Sequence, residues 1–226
     1  MKTLTLVAVG CLLATTAFAE MSKDEMKRLG DSATILTELR ASSDGIPEDY
    51  WAKAQCVVVI PSMKKAAFVF GGEYGSGVMS CRQAEGWSAP VFMQLAKGSW
   101  GLQIGAEQID LVLLVLNRRG VDKLLTDKVS LGVDASIAAG PVGRSANAGT
   151  DAQLTAEMLA YSRAQGLFAG INLSGGVLRP DKEAIERAYG PGVSASGVID
   201  HTRPTPEASA FLRALSENVR STTGRR

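Results

Sequence analysis

Apolar side chains in residues 21–40, MSKDEMKRLGDSATILTELR, recur at Met26, Leu29, Ala33, Leu36 and Leu39, the spacing of one face of an α-helix. The opposite side mixes Lys23, Lys27 and Arg28 with Asp24, Glu25 and Asp31, so it lacks the cationic bias of a helix built to lie on a membrane and suits packing on a core. GIPEDYWAKA predicts a short helix opened by Pro47, with Glu48 and Asp49 at the positive end of its dipole. The β-branched run CVVVIP, Cys56 to Pro61, predicts a buried strand that the proline stops.

From there to about residue 142 the pattern is that of strands. AAFVFGGEYGSGVMSCR, WSAPVFMQLAKGSWGLQIGAEQIDLVLLVLN and VSLGVDASIAAGPV alternate apolar and polar positions or run apolar, with glycine every few residues, which favours bent, mostly antiparallel strands. RRGVDKLLTDK, Arg118 to Lys128, interrupts them as a short amphipathic helix. DAQLTAEMLAYSRAQ is helical at its start, two strands follow within GLFAGINLSGGVLRP, and DKEAIERAYG returns to helical spacing before Gly190 and Pro191 end it. Residues 191–206 read as a linker by composition, and PEASAFLRALSENVR closes the chain with a helix that docks on the domain or on a partner.

The densest glycine stretch, FVFGGEYGSGVMSCR, invites a nucleotide reading. A dinucleotide fingerprint needs strand, G-x-G-x-x-G and then a helix, whereas here the order is G-G-x-x-G-x-G and a strand pattern follows. A phosphate-binding P-loop would close on lysine and serine or threonine, which this stretch lacks. Gly71, Gly72, Gly75 and Gly77 therefore read as sites where strands curve or touch closely.

Composition narrows the class. A hydrophobic content of 46% with 21% charged residues describes one folded domain with a sizeable core. Lysine plus arginine, 24, almost balances aspartate plus glutamate, 23, so no global field draws nucleic acid or a membrane, and no nucleic-acid partner is expected. Residues 1–19 read as an export signal: Lys2, an apolar stretch from Leu4 to Phe18, and the small-x-small site Ala17-Phe18-Ala19. That predicts a periplasmic or secreted protein, peripherally associated with a membrane. Lipidation at Cys11 is a competing reading that leaves a very short apolar region before the cysteine. Beyond the signal two cysteines remain, Cys56 and Cys81; an even pair in an exported chain suggests a disulfide, with two buried free thiols as the alternative.

Catalytic chemistry is thinly represented. The one histidine, His201, falls in the linker, far from any nucleophile pattern. Glu73, Glu107, Asp110, Asp134 and Asp151 are spaced as caps and turns rather than as metal ligands. No catalytic residue, metal site or cofactor is expected. Basic residues at element ends offer more: Lys64 and Lys65 in the turn after VVVIPS, Arg118 and Arg119 after DLVLLVLN, and Lys97 and Arg144 beside strands. Such residues hold anionic lipid headgroups when they gather near apolar surface, or else they are ordinary solvated turns. Trp87, Phe92, Met93 and Trp100 are candidates for that surface, although in strands such residues mostly fill cores.

Taken in order, GEYGSGVMSCR, GWSAPVFMQLAKGSWGLQIGAEQIDLVLLVLN, LGVDASIAAGPVGRSANA and AYSRAQGLFAGINLSGGVL closely resemble the SYLF domain family, over about Ile46 to Gly190. The resemblance implies an α+β fold, a glycine-rich, mostly antiparallel β core flanked by N-terminal, middle and C-terminal helices, without enzymatic activity. With the residue pattern on either side of it, the chain divides into a signal peptide (1–19), an N-terminal amphipathic helix (20–45), the SYLF-like lipid-binding domain (46–190), a linker (191–206) and a C-terminal helix and tail (207–226). The resemblance further implies binding to phosphoinositides or other anionic lipids, for which the basic residues at element ends, Lys64, Lys65, Lys97, Arg118, Arg119 and Arg144, are the candidate contacts. Some eukaryotic relatives bind actin filaments, but an export signal makes actin an unlikely partner here and leaves the native lipid open. An envelope or secreted protein that recognises another protein through a sheet edge or its last helix is the alternative.

Overall fold

The computed structural model describes residues 21–42, 45–67, 70–100, 108–142, 153, 155–164 and 166–220. The first helix, α1 (Lys23–Ala41), starts where Ser22 and Glu25 form a reciprocal capping box, the Ser22 amide donating to Glu25 Oε2 at 2.9 Å. It buries Leu29, Ile35, Leu36 and Leu39, the core-packing outcome its mixed charges predict. α2 (Glu48–Lys53) follows Pro47 and buries Tyr50 and Trp51.

Ten strands then form one sheet among the described residues: β1 (Cys56–Ala67), β2 (Phe70–Gln83), β3 (Gly86–Trp87), β4 (Val91–Trp100), β5 (Gln108–Val115), β6 (Val129–Ser130), β7 (Ile137–Ala139), β8 (Met158–Ala164), β9 (Leu167–Gly170) and β10 (Gly176–Pro180). The spatial order is β6-β10-β4-β2-β1-β5-β8-β7, with β3 on β2 and β9 on β8. Every pair is antiparallel except β7 with β8.

The sheet curls until its two margins meet. β6 and β7, at opposite ends of the strand order, are consecutive in the chain, and the short link between them makes a Leu131–Ala135 bridge. The Leu131 amide donates to Gly176 O at 2.7 Å and its carbonyl accepts from Gly175 N at 2.9 Å, which ties this link to β10. Curling hides edge groups that would otherwise pair with other chains.

Pro61 does not end its strand. β1 continues to Ala67, and the register against both neighbours shifts around residues 60–63, where Ser62 takes φ 50° and donates its amide to Asp110 Oδ1 at 2.9 Å. A proline lacks the amide that a regular ladder needs, and a bulge is one of the few strand positions that tolerates it. Lys64 and Lys65 consequently lie within β1 rather than in a turn.

The remaining helices are α3 (Arg118–Leu124), α4 (Lys182–Tyr189), α5 (Ala195–His201) and α6 (Ser209–Arg220). α5 occupies the segment whose composition predicts a linker; Ser194 caps it and Ala195, Val198 and Ile199 are buried. α6 packs against α1, burying Phe211 and Leu215, and Asn218 Nδ2 donates to Leu36 O at 3.0 Å.

Charged side chains fasten α1 to the body. Glu25 is fully buried and accepts from Arg187 of α4 at 2.7 and 3.1 Å, while Arg28 pairs with Asp181, the cap of α4, at 2.7 Å. Burial pushes the Glu25 carboxyl up, but hydrogen bonds from Ser22 and Arg187 pull it further down, to a net value below the usual glutamate range. A carboxylate lowered in the folded state contributes stability above its unfolded pKa and loses it as pH falls through the folded value. Glu25→Gln is expected to cost about 1–3 kcal/mol near neutrality and to flatten the acid side of the stability profile. Urea melts at neutral and acidic pH check this, and equal acid losses in the variant and the wild type would contradict it.

Candidate functional site

β2 carries the glycine stretch, and its geometry is that of packed sheet. A methyl group on Gly75 would enter the side chain of Ile60, and one on Gly77 would meet Val59 O and come within 2.8 Å of Ile60 Cα. Both positions are buried against β1 where its register shifts. The strand then runs on to Gln83 without a helix, so no free helical amides face a phosphate here.

Cys56 and Cys81 stand directly opposite each other in the β1–β2 ladder and form a disulfide, with Cα atoms 3.9 Å apart. Both are buried. Beside them Arg82 donates to Trp51 O at 3.1 Å and Ala54 O at 3.2 Å and lies 5.0 Å from the Trp87 ring, so α2 is clamped over this end of the hairpin.

The candidate basic residues do not form one rim. Lys64 pairs in register with Gln108 at the start of β5, whereas Arg118 and Arg119 follow the end of β5 at Val115. Seven residues of extended strand separate these positions by roughly 24 Å. Lys97 lies at the Lys64 end: it and Lys65 both pair with Glu73, and its Nζ donates to Asn172 O at 3.3 Å. The Lys65 side chain and all of Arg144 lie outside the described residues.

At the other end the cations face acids. Arg118 pairs with Asp122 at 2.8 Å; Arg119 lies 3.8 Å and Lys123 2.8 Å from the buried carboxylate of Glu157, which also accepts from Ser136 N at 3.0 Å. Burial raises the Glu157 carboxyl, but Lys123 and the Ser136 amide outweigh it and hold the group below the usual range. Arg118, Arg119, Lys123, Glu157 and Val133 are among the residues that line a polar cleft of about 620 Å³.

Trp87, Phe92 and Met93 are buried and belong to the core, and the Trp100 side chain lies outside the described residues. The large apolar side chains exposed among the described residues are instead Met26, Tyr74, Val133 and Leu167. Met26 falls on the face of α1 whose spacing predicts core packing, yet it is exposed; nothing in the sequence pattern singles out Val133 or Leu167, and the alternation along β2, which turns Glu73 and Gly75 inward and Tyr74 outward, is the signal that finds Tyr74. Of the acidic residues read as caps and turns, Asp110 accepts from Ser62 and pairs with Arg163 at 3.2 Å, and Asp134 accepts from Ser130 N at 2.8 Å. Among the described residues no three His, Cys, Asp or Glu side chains gather as metal ligands, and no helix is long and apolar enough to cross a membrane.

Residues 96–218, from β4 through α6, match the family described as Ysc84, Las17-binding protein actin regulator. The chain belongs to the Ysc84, or SYLF, family. LAS seventeen-binding protein 3 of Saccharomyces cerevisiae is 34% identical over 190 residues, which is 80% of this chain and 41% of the relative. SH3 domain-containing YSC84-like protein 1 of Homo sapiens is 30% identical over 201 residues, 87% of this chain and 58% of the relative. The SYLF chain thus spans about half the length of these relatives.

The expectation that actin is an unlikely partner is corrected by these matches, since the family description reads actin regulator and the yeast relative is named for binding Las17. That expectation rested on the export signal alone. A signal bears on where a chain travels and leaves unchanged the surface that its folded domain presents.

Proposed function

We propose that this SYLF chain is an exported, non-enzymatic binding module that associates with anionic phospholipid surfaces. The observation that supports it is the meeting of exposed apolar side chains with cations at the sheet's margins. Tyr74, 48% exposed, stands beside Lys64, and Val133, 82% exposed, shares a cleft with Arg118 and Arg119. Apolar side chains flanked by lysine or arginine suit the boundary between headgroups and acyl chains, where each cation adds about 1 kcal/mol near a charged membrane. The Cys56–Cys81 disulfide supports export, because such bonds persist in oxidising compartments.

A second reading is attachment to actin filaments, favoured by the description of the matched family. Co-sedimentation separates the two. The chain is expected to pellet with phosphatidylcholine vesicles containing roughly one-third phosphatidylglycerol, to remain in the supernatant when the vesicles are neutral, and to be released by salt. Equal pelleting with neutral and anionic vesicles would overturn the lipid reading, and pelleting with filaments alone would establish the second.

A further inference from the structure

Gly72 and Gly98 stand opposite each other in the β2–β4 ladder, and packing demands neither. A methyl group on Gly98 would meet nothing within 4 Å, one on Gly72 would come no closer than 4.0 Å to Lys97 O, and neither residue has a positive φ. Gly75 and Gly77 differ, because a methyl on either would run into β1 on the buried face. Gly72 and Gly98 are exposed on the face that carries Tyr74.

The two glycines keep a strip of sheet bare beside an aromatic ring. Tyr74 is exposed and its nearest neighbours are small: Gly72 and Ser76 along β2, and Ala96 opposite on β4. The Ser76 hydroxyl, 3.2 Å from that of Tyr74, leans the ring along the strand.

The polar groups around the ring are unspent. Lys64 of β1 stands opposite Tyr74 and Gln108 of β5 opposite Lys64, so the row from Ala96 to Gln108 crosses four strands over about 14 Å. Beside the row, a groove of about 290 Å³ between α1 and the bulge at Pro61 and Ser62 brings Asp24 to Tyr74, Lys64 and Ser76. The side chains of Asp24, Lys64 and Gln108 have no partner among the described residues.

Charge at this groove balances. Lys27 pairs with Asp31 and Arg28 with Asp181, which leaves one carboxylate, Asp24, and one ammonium, Lys64. Asp110, two residues beyond Gln108, is held by Arg163 and the Ser62 amide, and Arg179, two strands from Tyr74, donates to Gln94 Oε1 at 3.0 Å. An acceptor, a donor and an amide around an uncovered ring suit a neutral ligand rich in hydroxyls, since each hydroxyl both donates and accepts. The C–H groups on the flat face of a pyranose carry partial positive charge and meet the electron-rich face of tyrosine. A glycan with equatorial linkages has this form, with apolar ring faces and hydroxyl edges.

We propose that this face of the SYLF chain is a docking platform for a neutral β-1,4-linked glycan. Tyr74 stacks under one sugar ring, the strip at Gly72 and Gly98 gives the next a place to lie, and Asp24, Lys64 and Gln108 bond to hydroxyls. The inference goes beyond the lipid reading and does not rest on it.

Titration calorimetry of the whole chain with chitohexaose and with cellohexaose tests it. Saturable binding of at least one is expected, with affinity that added salt changes by less than about twofold. Tyr74→Ala is expected to weaken it by roughly tenfold or more, which corresponds to about 1.4 kcal/mol, and Tyr74→Phe, which keeps the ring, by less than about threefold. Gly72→Thr with Gly98→Thr fits the sheet, because both Cβ positions are open and threonine favours strands. This pair is expected to keep the Tm of the wild type and to weaken binding by roughly tenfold or more. Leu167→Ser is the control: Phe168 shares a face with Arg163, Asp110 and Gln108, so Leu167 lies on the other, and binding should be unchanged.

Failure of the wild-type chain to bind either oligosaccharide overturns the inference, as does binding that survives both Tyr74→Ala and the threonine pair. Vesicle sedimentation in parallel keeps the two readings apart. Oligosaccharide binding without vesicle binding leaves the glycan platform standing and removes the lipid reading. Vesicle binding that Tyr74→Ala abolishes, in a chain that binds neither oligosaccharide, assigns the ring to lipid and overturns the platform.

Discussion

Gly77→Ala is expected to destabilise the domain by about 3 kcal/mol or more, toward the severe end for a single methyl group. The new Cβ would meet the Val59 carbonyl and sit 2.8 Å from Ile60 Cα. Backbone atoms cannot rotate aside as a flexible side chain does, so relief requires β1 to move away from β2 at the place where its register already shifts. Gly30→Ala is the matched control. Gly30 lies in α1 with nothing within 4 Å of its added methyl, so alanine should stabilise by up to about 1 kcal/mol. Opposite signs from one substitution type would separate glycine demanded by packing from glycine that merely weakens a helix. Chemical denaturation of the two variants reads the difference, and a Gly77→Ala protein as stable as the wild type would contradict the packing account.

Removal of the disulfide is the second large effect. Cys56 and Cys81 close a loop with a sequence separation of 25, and the loop-entropy account gives about 3 kcal/mol for a link of this length. In a domain of this size, that corresponds to a fall in Tm of roughly 6–12 °C on reduction or in a Cys56→Ala, Cys81→Ala variant. The strands should remain paired, because Val57, Val58 and Val59 continue the ladder with Ser80, Met79 and Val78 and are fully buried. Alkylation of the unreduced protein offers an independent check; label taken up at Cys56 or Cys81 would exclude the bond.

Much of this architecture is legible from local pattern. Leu29, Leu36 and Leu39 mark the buried face of α1, VVVI marks β1, and GLFAGINLSGGVLRP does yield two strands, because in each case periodicity and burial agree. Pattern fails where long-range contacts decide the outcome. Proline at 61 is a strand breaker by itself, and only the bulge held by Ser62 and Asp110 lets β1 pass through it. PGVSASGVIDH has the composition of a linker, yet burial of Val198 and Ile199 makes part of it α5. Propensity is a weak prior that tertiary packing overrides.

The candidate site was legible in part. Sequence places cations at element ends, but whether they converge depends on strand order, and β5 carries Lys64 and Arg118 to opposite ends. Nor does the sequence show which cations are already neutralised. Glu157, the buried acid that engages Arg119 and Lys123, carries no motif of its own and becomes visible only when α3 and β8 are brought together.

The central claim is that the glycines of β2 build the sheet and leave contact with other molecules to side chains at its margins. Hydrogen exchange of the amides from Ser76 to Cys81 tests it most directly, measured alone, with a magnesium nucleotide and with anionic vesicles. The account predicts slow exchange that neither addition changes, while peptides covering Lys64 or Arg118 become protected on vesicles. Fast exchange from Ser76 to Cys81 that slows when the nucleotide is added would contradict it.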